Sequence, residues 1–389
     1  MMDKKFEVDS EVLVKYLEDM VGIGSVNPEY DWEGTGVGEE AIGDYLMDVL
    51  KEIGFSIETE KVQGNRRNVI GRIGGNGSKL LLTGHMDTVP PGDEGSWSGD
   101  PFELERKGNY LQGLGVSDMK GSIASMLHAA ENIDPEELNG ELIYAFVVDE
   151  EYYGKGMKKL VSREDFTSDG AIVGEPTMLN ICTAHKGVVR YNINVKGRAV
   201  HSSRPWAGKN AISFGRKVIG GLEKQHAALQ DEKHPLLDPP TLSVTMIRGG
   251  NAPNTIPDKC TLTMDRRTLP EEDKDVIEGS IRRTLDRIDD LDYELEEIVF
   301  ARGMKTDTSS RIVQTCAEAA EEVLGGSQEF IGLNISTDGR FLVNNTGIPT
   351  VIFGPGDIEM AHSIDEKVKL DGLEKSTLFY RKCIQKFLS

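Results

Sequence analysis

The feature that most constrains this chain is a repeated junction: a short, continuously apolar run that stops at an imidazole or a carboxylate. Leu80-Leu81-Leu82-Thr83-Gly84 runs into His85-Met86-Asp87, and residues 142–148 run into Asp149-Glu150-Glu151. Residues 171–173 lead through Gly174 into Glu175, and Thr350-Val351-Ile352-Phe353 is followed by Ala361-His362-Ser363. Runs that are apolar at every position, rather than at alternate ones, mark strands buried on both faces, as in an α/β sheet covered by helices. Open sheets of that kind hold ligands in the crevice beyond the C-terminal ends of their strands. The sequence therefore predicts an α/β fold in which these polar groups converge. Asp118, in Gly115-Val116-Ser117-Asp118-Met119-Lys120-Gly121, begins a helical stretch that can face the same crevice.

Helical spacing of apolar residues at 10–20, 39–53, 119–133 and 310–324 separates these runs, with Ser10 expected as an N-cap and Gly54 as a stop. The region from 185 to 300 has a different order, strand-helix-strand-strand-helix-strand, which is the split βαββαβ unit of ferredoxin-like modules. At 389 residues the chain exceeds the size at which single cores stop growing. The expected architecture is a mostly parallel-sheet α/β catalytic domain with helices on both faces, formed by 1–184 and 301–389. An inserted α+β ferredoxin-like (βαββαβ) domain, 185–300, interrupts it.

Charge narrows the partners. Lys and Arg number 44 against 65 Asp and Glu, a net charge of −21 that argues against nucleic acid and anionic membrane surfaces. The first residues contain no apolar run of the signal-peptide kind, and no stretch approaches the ~18 to 20 apolar residues of a membrane span. Cys182, Cys260, Cys316 and Cys383 are scattered and form no CxxC pair, which predicts buried thiols in a reducing, cytoplasmic setting.

Taken singly, each polar residue has a plain explanation. Asp118 reads as an N-cap, Glu150 and Glu151 as a solvated turn, and a strand-end histidine as merely hydrogen-bonded. Their coincidence at successive strand ends points instead to a metal site. Two histidines with several carboxylates and no cysteine suit Zn²⁺, with Co²⁺ or Mn²⁺ as substitutes. One ion needs three protein ligands and a water, whereas five ligands suit a pair of ions about 3.5 to 4 Å apart with one carboxylate shared.

The strings Gly84-His85-Met86-Asp87-Thr88-Val89-Pro90, Gly115-Val116-Ser117-Asp118-Met119-Lys120-Gly121, Asp149-Glu150-Glu151, Gly174-Glu175-Pro176 and Ala361-His362-Ser363 resemble, in order, the motifs of the M20 metallopeptidase family. That resemblance implies two zinc ions per subunit, His85 and Glu175 holding one, Glu151 and His362 the other, with Asp118 between them. It implies Glu150 as general base, Asp87 behind His85 through a hydrogen bond, and a cis peptide at Asp118–Met119. In the insert, the stretch from Gly197 to Pro205 and Gly208-Lys209-Asn210 resemble the family's dimerisation motif. A homodimer follows as an expectation, with His201 reaching the partner's active site to support an oxyanion. Without that resemblance, His201 reads as a surface histidine and Arg267 as half of a surface ion pair.

Asn254 and Arg267 match segments that hold a substrate carboxylate, a task suited to the planar fork of arginine. Ser336-Thr337-Asp338-Gly339-Arg340-Phe341 resembles a pocket-lining loop, with Ser336 its candidate contact. The function implied is a di-zinc amidohydrolase cleaving a small N-acyl amino acid, like acetylornithine deacetylase or succinyl-diaminopimelate desuccinylase. Glu175, where aminopeptidase branches carry Asp, favours deacylation or carboxypeptidase chemistry. A carboxypeptidase or dipeptidase of the same family is the alternative, and a catalytically inactive binding relative a further one.

Overall fold

The computed structural model describes residues 6–34 and 38–389. Four strands, Gly140–Val147, Ser78–His85, Gly170–Val173 and Thr350–Ile352, lie side by side in that order and run parallel. Their registers pair Leu81 with Ile143 and Ala171, and Val351 with Ile172. Leu80, Leu81 and Leu82 are fully buried, which explains the unbroken apolar run: both faces of the strand are covered. Burying each such side chain contributes roughly 1.5–3 kcal/mol. Arg66–Gly74 and then Ser56–Gln63 extend the sheet antiparallel on one side, and Ile181–His185 meets Thr350–Ile352 antiparallel on the other. The predicted α/β class, with a parallel centre and helices packed on it, is the observed one.

These strands, the last of them as far as Thr183, belong to a unit made of Met1–Thr183, Thr306–Ile331 and Thr337–Ser389. Every residue of its helix Lys120–Ala130 is buried, as a helix without a polar face must be. The helix Ser10–Ile23 is capped by Asp9, not by Ser10 as the sequence suggested. Asp9 Oδ1 accepts the N–H groups of Glu11 at 2.9 Å and Val12 at 3.3 Å, whereas the Ser10 hydroxyl donates to Glu374. Gly54 ends Glu40–Ile53 as expected, its N–H reaching Leu50 O at 3.1 Å.

The second unit comprises Ala184–Lys305 with Gly332–Ser336. Its chain order is Gly187–Lys196, Ala211–Leu229, Thr241–Gly249, Lys259–Thr268, Lys274–Asp286 and Asp292–Ala301, the βαββαβ succession. The four strands form an antiparallel sheet in which Gly187–Lys196 lies between Lys259–Thr268 and Asp292–Ala301. Val189, Tyr191, Ile193 and Val195 alternate inward and pack with Leu222 and Ile281 of the two helices. Among the described residues no helix is long and apolar enough to cross a membrane.

Candidate metal centre

Because the four central strands are parallel, their C-terminal ends share one edge of the sheet. His85 is the last residue of its strand and is 2% exposed. Gly140–Val147 continues into the turn carrying Glu150 and Glu151, Gly170–Val173 into Glu175, and the loop beyond Thr350–Ile352 presents His362. Asp118 stands before Lys120–Ala130, but the N-cap position belongs to Met119 and carries no side-chain cap, so the N-cap explanation of Asp118 fails. The Asp118–Met119 peptide is cis. A Cβ on Gly84 or Gly174 would lie 2.5 or 2.6 Å from Met119 Cε, so these glycines let that side chain tuck between the strand ends.

Asp118 offers one oxygen to each histidine. His85 Nε2 lies 3.0 Å from Asp118 Oδ1 and 4.0 Å from Glu175 Oε1. His362 Nε2 lies 2.9 Å from Glu151 Oε1 and 3.4 Å from Asp118 Oδ2. The candidate ligand atoms of His85, Asp118 and Glu151 fall within 4.8 Å of one another, and so do those of His85, Glu150 and Glu175. Nitrogen and carboxylate oxygen donors without sulfur, with one carboxylate turned toward both histidines, fit a pair of divalent cations.

The crowding of acids governs their protonation. Burial, then the charge of Asp338, pushes Glu150 well above the usual carboxylate range. Burial and Asp118 do the same to Glu175. Burial would also raise Asp118, yet hydrogen bonds from His362 and His85 hold it well below the ordinary value. His362 is pushed up to about 11 by its bonds to Asp118 and Glu151. For His85, burial opposes the charge, but Asp118 and Glu175 win and raise it.

A buried polar network supports this cluster, and most of it was missed in the sequence. His85 Nδ1 donates to the main-chain carbonyl of Asp87 at 2.9 Å, and the Asp87 carboxylate stands 3.6 Å away. That carboxylate accepts the N–H groups of Glu150 and Glu151, each at 3.1 Å. Asn27 Nδ2 links it, at 2.8 Å, to Asp149 Oδ1 at 3.2 Å. Arg66 closes the network against Asp149 at 2.8 Å and Glu39 at 2.5 Å. Arg66→Met leaves Glu39 buried without its cation and Asp149 with only Lys155, 4.0 Å away, so a loss of about 3–5 kcal/mol is expected, read as a lower urea midpoint for this unit. Asp338, 2% exposed and pushed up to about 6 by burial, was also passed over in favour of its neighbour Ser336.

The other predicted site residues lie in the second unit. Val200-His201 pairs antiparallel with Thr255-Ile256, and Ser202 N–H donates to Asn254 O at 2.9 Å, so His201 and Asn254 are brought together. The His201 side chain is exposed, with Nδ1 2.8 Å from Ser203 Oγ. Arg267 donates from Nε to Asp265 at 3.1 Å. Ser336 is half-buried.

Residues 81–386 match the model of peptidase family M20/M25/M40. The chain belongs to this family. Acetylornithine deacetylase of Pectobacterium carotovorum is 36% identical over 328 residues, 82% of this chain and 83% of that one. Aminopeptidase PepT from Bacillus cereus superimposes with a TM-score of 0.80 at 21% identity, covering 98% of this chain and 100% of its own. A dinuclear metal binding M20 peptidase from Bacillus subtilis gives 0.75 at 17%, covering 97% and 98%. This M20 chain is a metal-dependent hydrolase, and it shares the fold of that neighbour.

Proposed function

We propose that the chain is a two-zinc amidohydrolase that removes the acyl group from a small N-acyl amino acid, with N-acetylornithine the first candidate. The sequence likeness to a protein named acetylornithine deacetylase, over most of both chains, supports the deacylase over a peptidase. Likeness to peptidase structures near 20% identity supports the fold alone.

The observation that carries the reading is a spare acid. His85 pairs with Asp118 and His362 with Glu151, which leaves Glu150 as an additional carboxyl within 4.8 Å of ligand atoms of His85 and Glu175. We assign His85 and Glu175 to one zinc, Glu151 and His362 to the other, and Asp118 to both. When bound, such a pair lowers the pKa of a shared water toward ~7 and polarises the substrate carbonyl. Glu150 then takes a proton from the attacking water and passes it to the leaving amine. Asp87 keeps that carboxyl in place by pinning the backbone of the Glu150-Glu151 turn.

On the substrate side, Asn254 and Arg267 hold the amino-acid carboxylate and Ser336 lines the acyl pocket. His201 of the partner subunit steadies the developing oxyanion in a homodimer formed through the second unit. Four buried free cysteines fit a cytoplasmic location.

The deciding experiment offers zinc-loaded protein N-acetyl, N-succinyl and N-formyl amino acids and dipeptides, and reads amine release. Turnover is expected to be fastest on N-acetylornithine, to vanish with EDTA and to return with zinc. Turnover confined to dipeptides would move the assignment to a peptidase, and turnover that survives the chelator would refute it.

A further inference from the structure

Four residues beyond His362 stands Glu366, whose side chain is buried, being 1% exposed, and has no part in the reading above. Its Oε1 accepts the N–H groups of Ser117 at 2.7 Å and Asp118 at 3.0 Å, and its Oε2 accepts that of Gly115 at 2.8 Å. Its main-chain carbonyl takes Gly113 N–H at 3.1 Å. A buried carboxyl group is costly unless hydrogen-bonded, and both oxygens of this one are met by backbone N–H groups. Here one side chain gathers three donors from the loop that delivers Asp118.

The same two segments are joined again nearby. Ser117 Oγ donates to Asp357 O at 3.0 Å, and Asp357 N–H donates back to Ser117 Oγ at 2.9 Å. Lys367–Lys369 pairs with Tyr110–Gln112 in the register Lys367 to Gln112. These contacts close the segments together. The Glu366 carboxylate grips the N–H groups of Ser117 and Asp118 themselves. Fixing those peptide planes fixes the direction of the Asp118 side chain, and with it the 3.4 Å approach of Oδ2 to His362 Nε2. Glu366 lies four residues from His362 on the same stretch, so it ties that ligand to Asp118 through a short length of main chain and a hydrogen bond.

We propose that Glu366 is a positioning residue of the metal centre, holding the Asp118 carboxylate against His362 so that both cation positions fill together. The inference rests on the reading of Asp118 as the shared ligand. Groups that orient ligands in this way typically contribute 10- to 100-fold to metal affinity. A merely structural Glu366 would alter stability and leave zinc stoichiometry alone.

The test compares the parent with Glu366→Gln, which keeps one acceptor oxygen and turns an amide toward the Gly115 N–H. Zinc is titrated against a competing chelator, and metal content is measured after dialysis. The variant is expected to keep one tightly held zinc and to bind the second about 10- to 100-fold more weakly. A folded variant that holds two zinc ions with the parent's affinity overturns the proposal. Asp118→Ala is the companion: if it too keeps both ions at parent affinity, the shared-ligand reading has failed instead. Should Glu366→Gln not fold, amide hydrogen exchange on the zinc-stripped parent decides. The Gly115, Ser117 and Asp118 amides are then expected to be protected like those of Lys120–Ala130, and exchange at open-loop rates overturns the proposal.

Discussion

Glu150→Gln is expected to retain two zinc ions and lose about 10²- to 10⁴-fold in kcat, the usual contribution of a positioned general base. Glutamine has the size and shape of the acid but cannot accept and return a proton. The Glu150 main chain stays anchored to Asp87 by a bond the substitution does not touch. Burial and the charge of Asp338 already disfavour a charged group at this position, so an uncharged glutamine of the same size should not lower the melting temperature. Metal content and single-turnover rates check this together. Parent-like turnover would remove the base assignment. Loss of one zinc alongside activity would make Glu150 a ligand.

The legibility of this molecule in its sequence follows the range of the forces involved. Continuous burial writes itself locally, so the strands ending at His85, Val147, Val173 and Ile352 were readable as apolar runs, and the parallel sheet then brought their ends together. The βαββαβ order of the second unit was legible for a similar reason: its strands alternate and its helices have long apolar stripes. The supporting network was not. Asn27, Glu39, Arg66 and Glu366 are single polar residues in unremarkable surroundings, and each gains its meaning from partners far away in the chain. Asp87 stands behind His85 as its motif implies, through its carbonyl, and the motif was silent on the second task of its carboxylate, which holds the neighbouring turn. Asp9 in place of Ser10 is a small error of a local kind, since adjacent residues both suit an N-cap.

The second large effect concerns protons that zinc must displace. Imidazole binds a metal only when neutral, yet His362 is pushed up to about 11 and His85 well above its ordinary value. Both therefore carry protons near neutrality, and filling both positions must release about two of them. Overall zinc affinity is expected to rise about 100-fold per pH unit between pH 6 and 8, with further gain where Glu150 and Glu175 also yield protons. Zinc-stripped protein should respond in the opposite sense. A histidine raised in the folded state lends stability that is fully present below its unfolded pKa of about 6.5 and is lost as pH climbs through about 11. The difference in melting temperature between loaded and stripped protein should therefore widen with pH, because ligand stabilisation grows with the ratio of zinc to its dissociation constant. Chelator competition at several pH values gives the affinity, and calorimetry in buffers of different ionisation enthalpy counts the protons. Zinc binding that released none would overturn the reading that His85 and His362 both carry protons in the stripped protein.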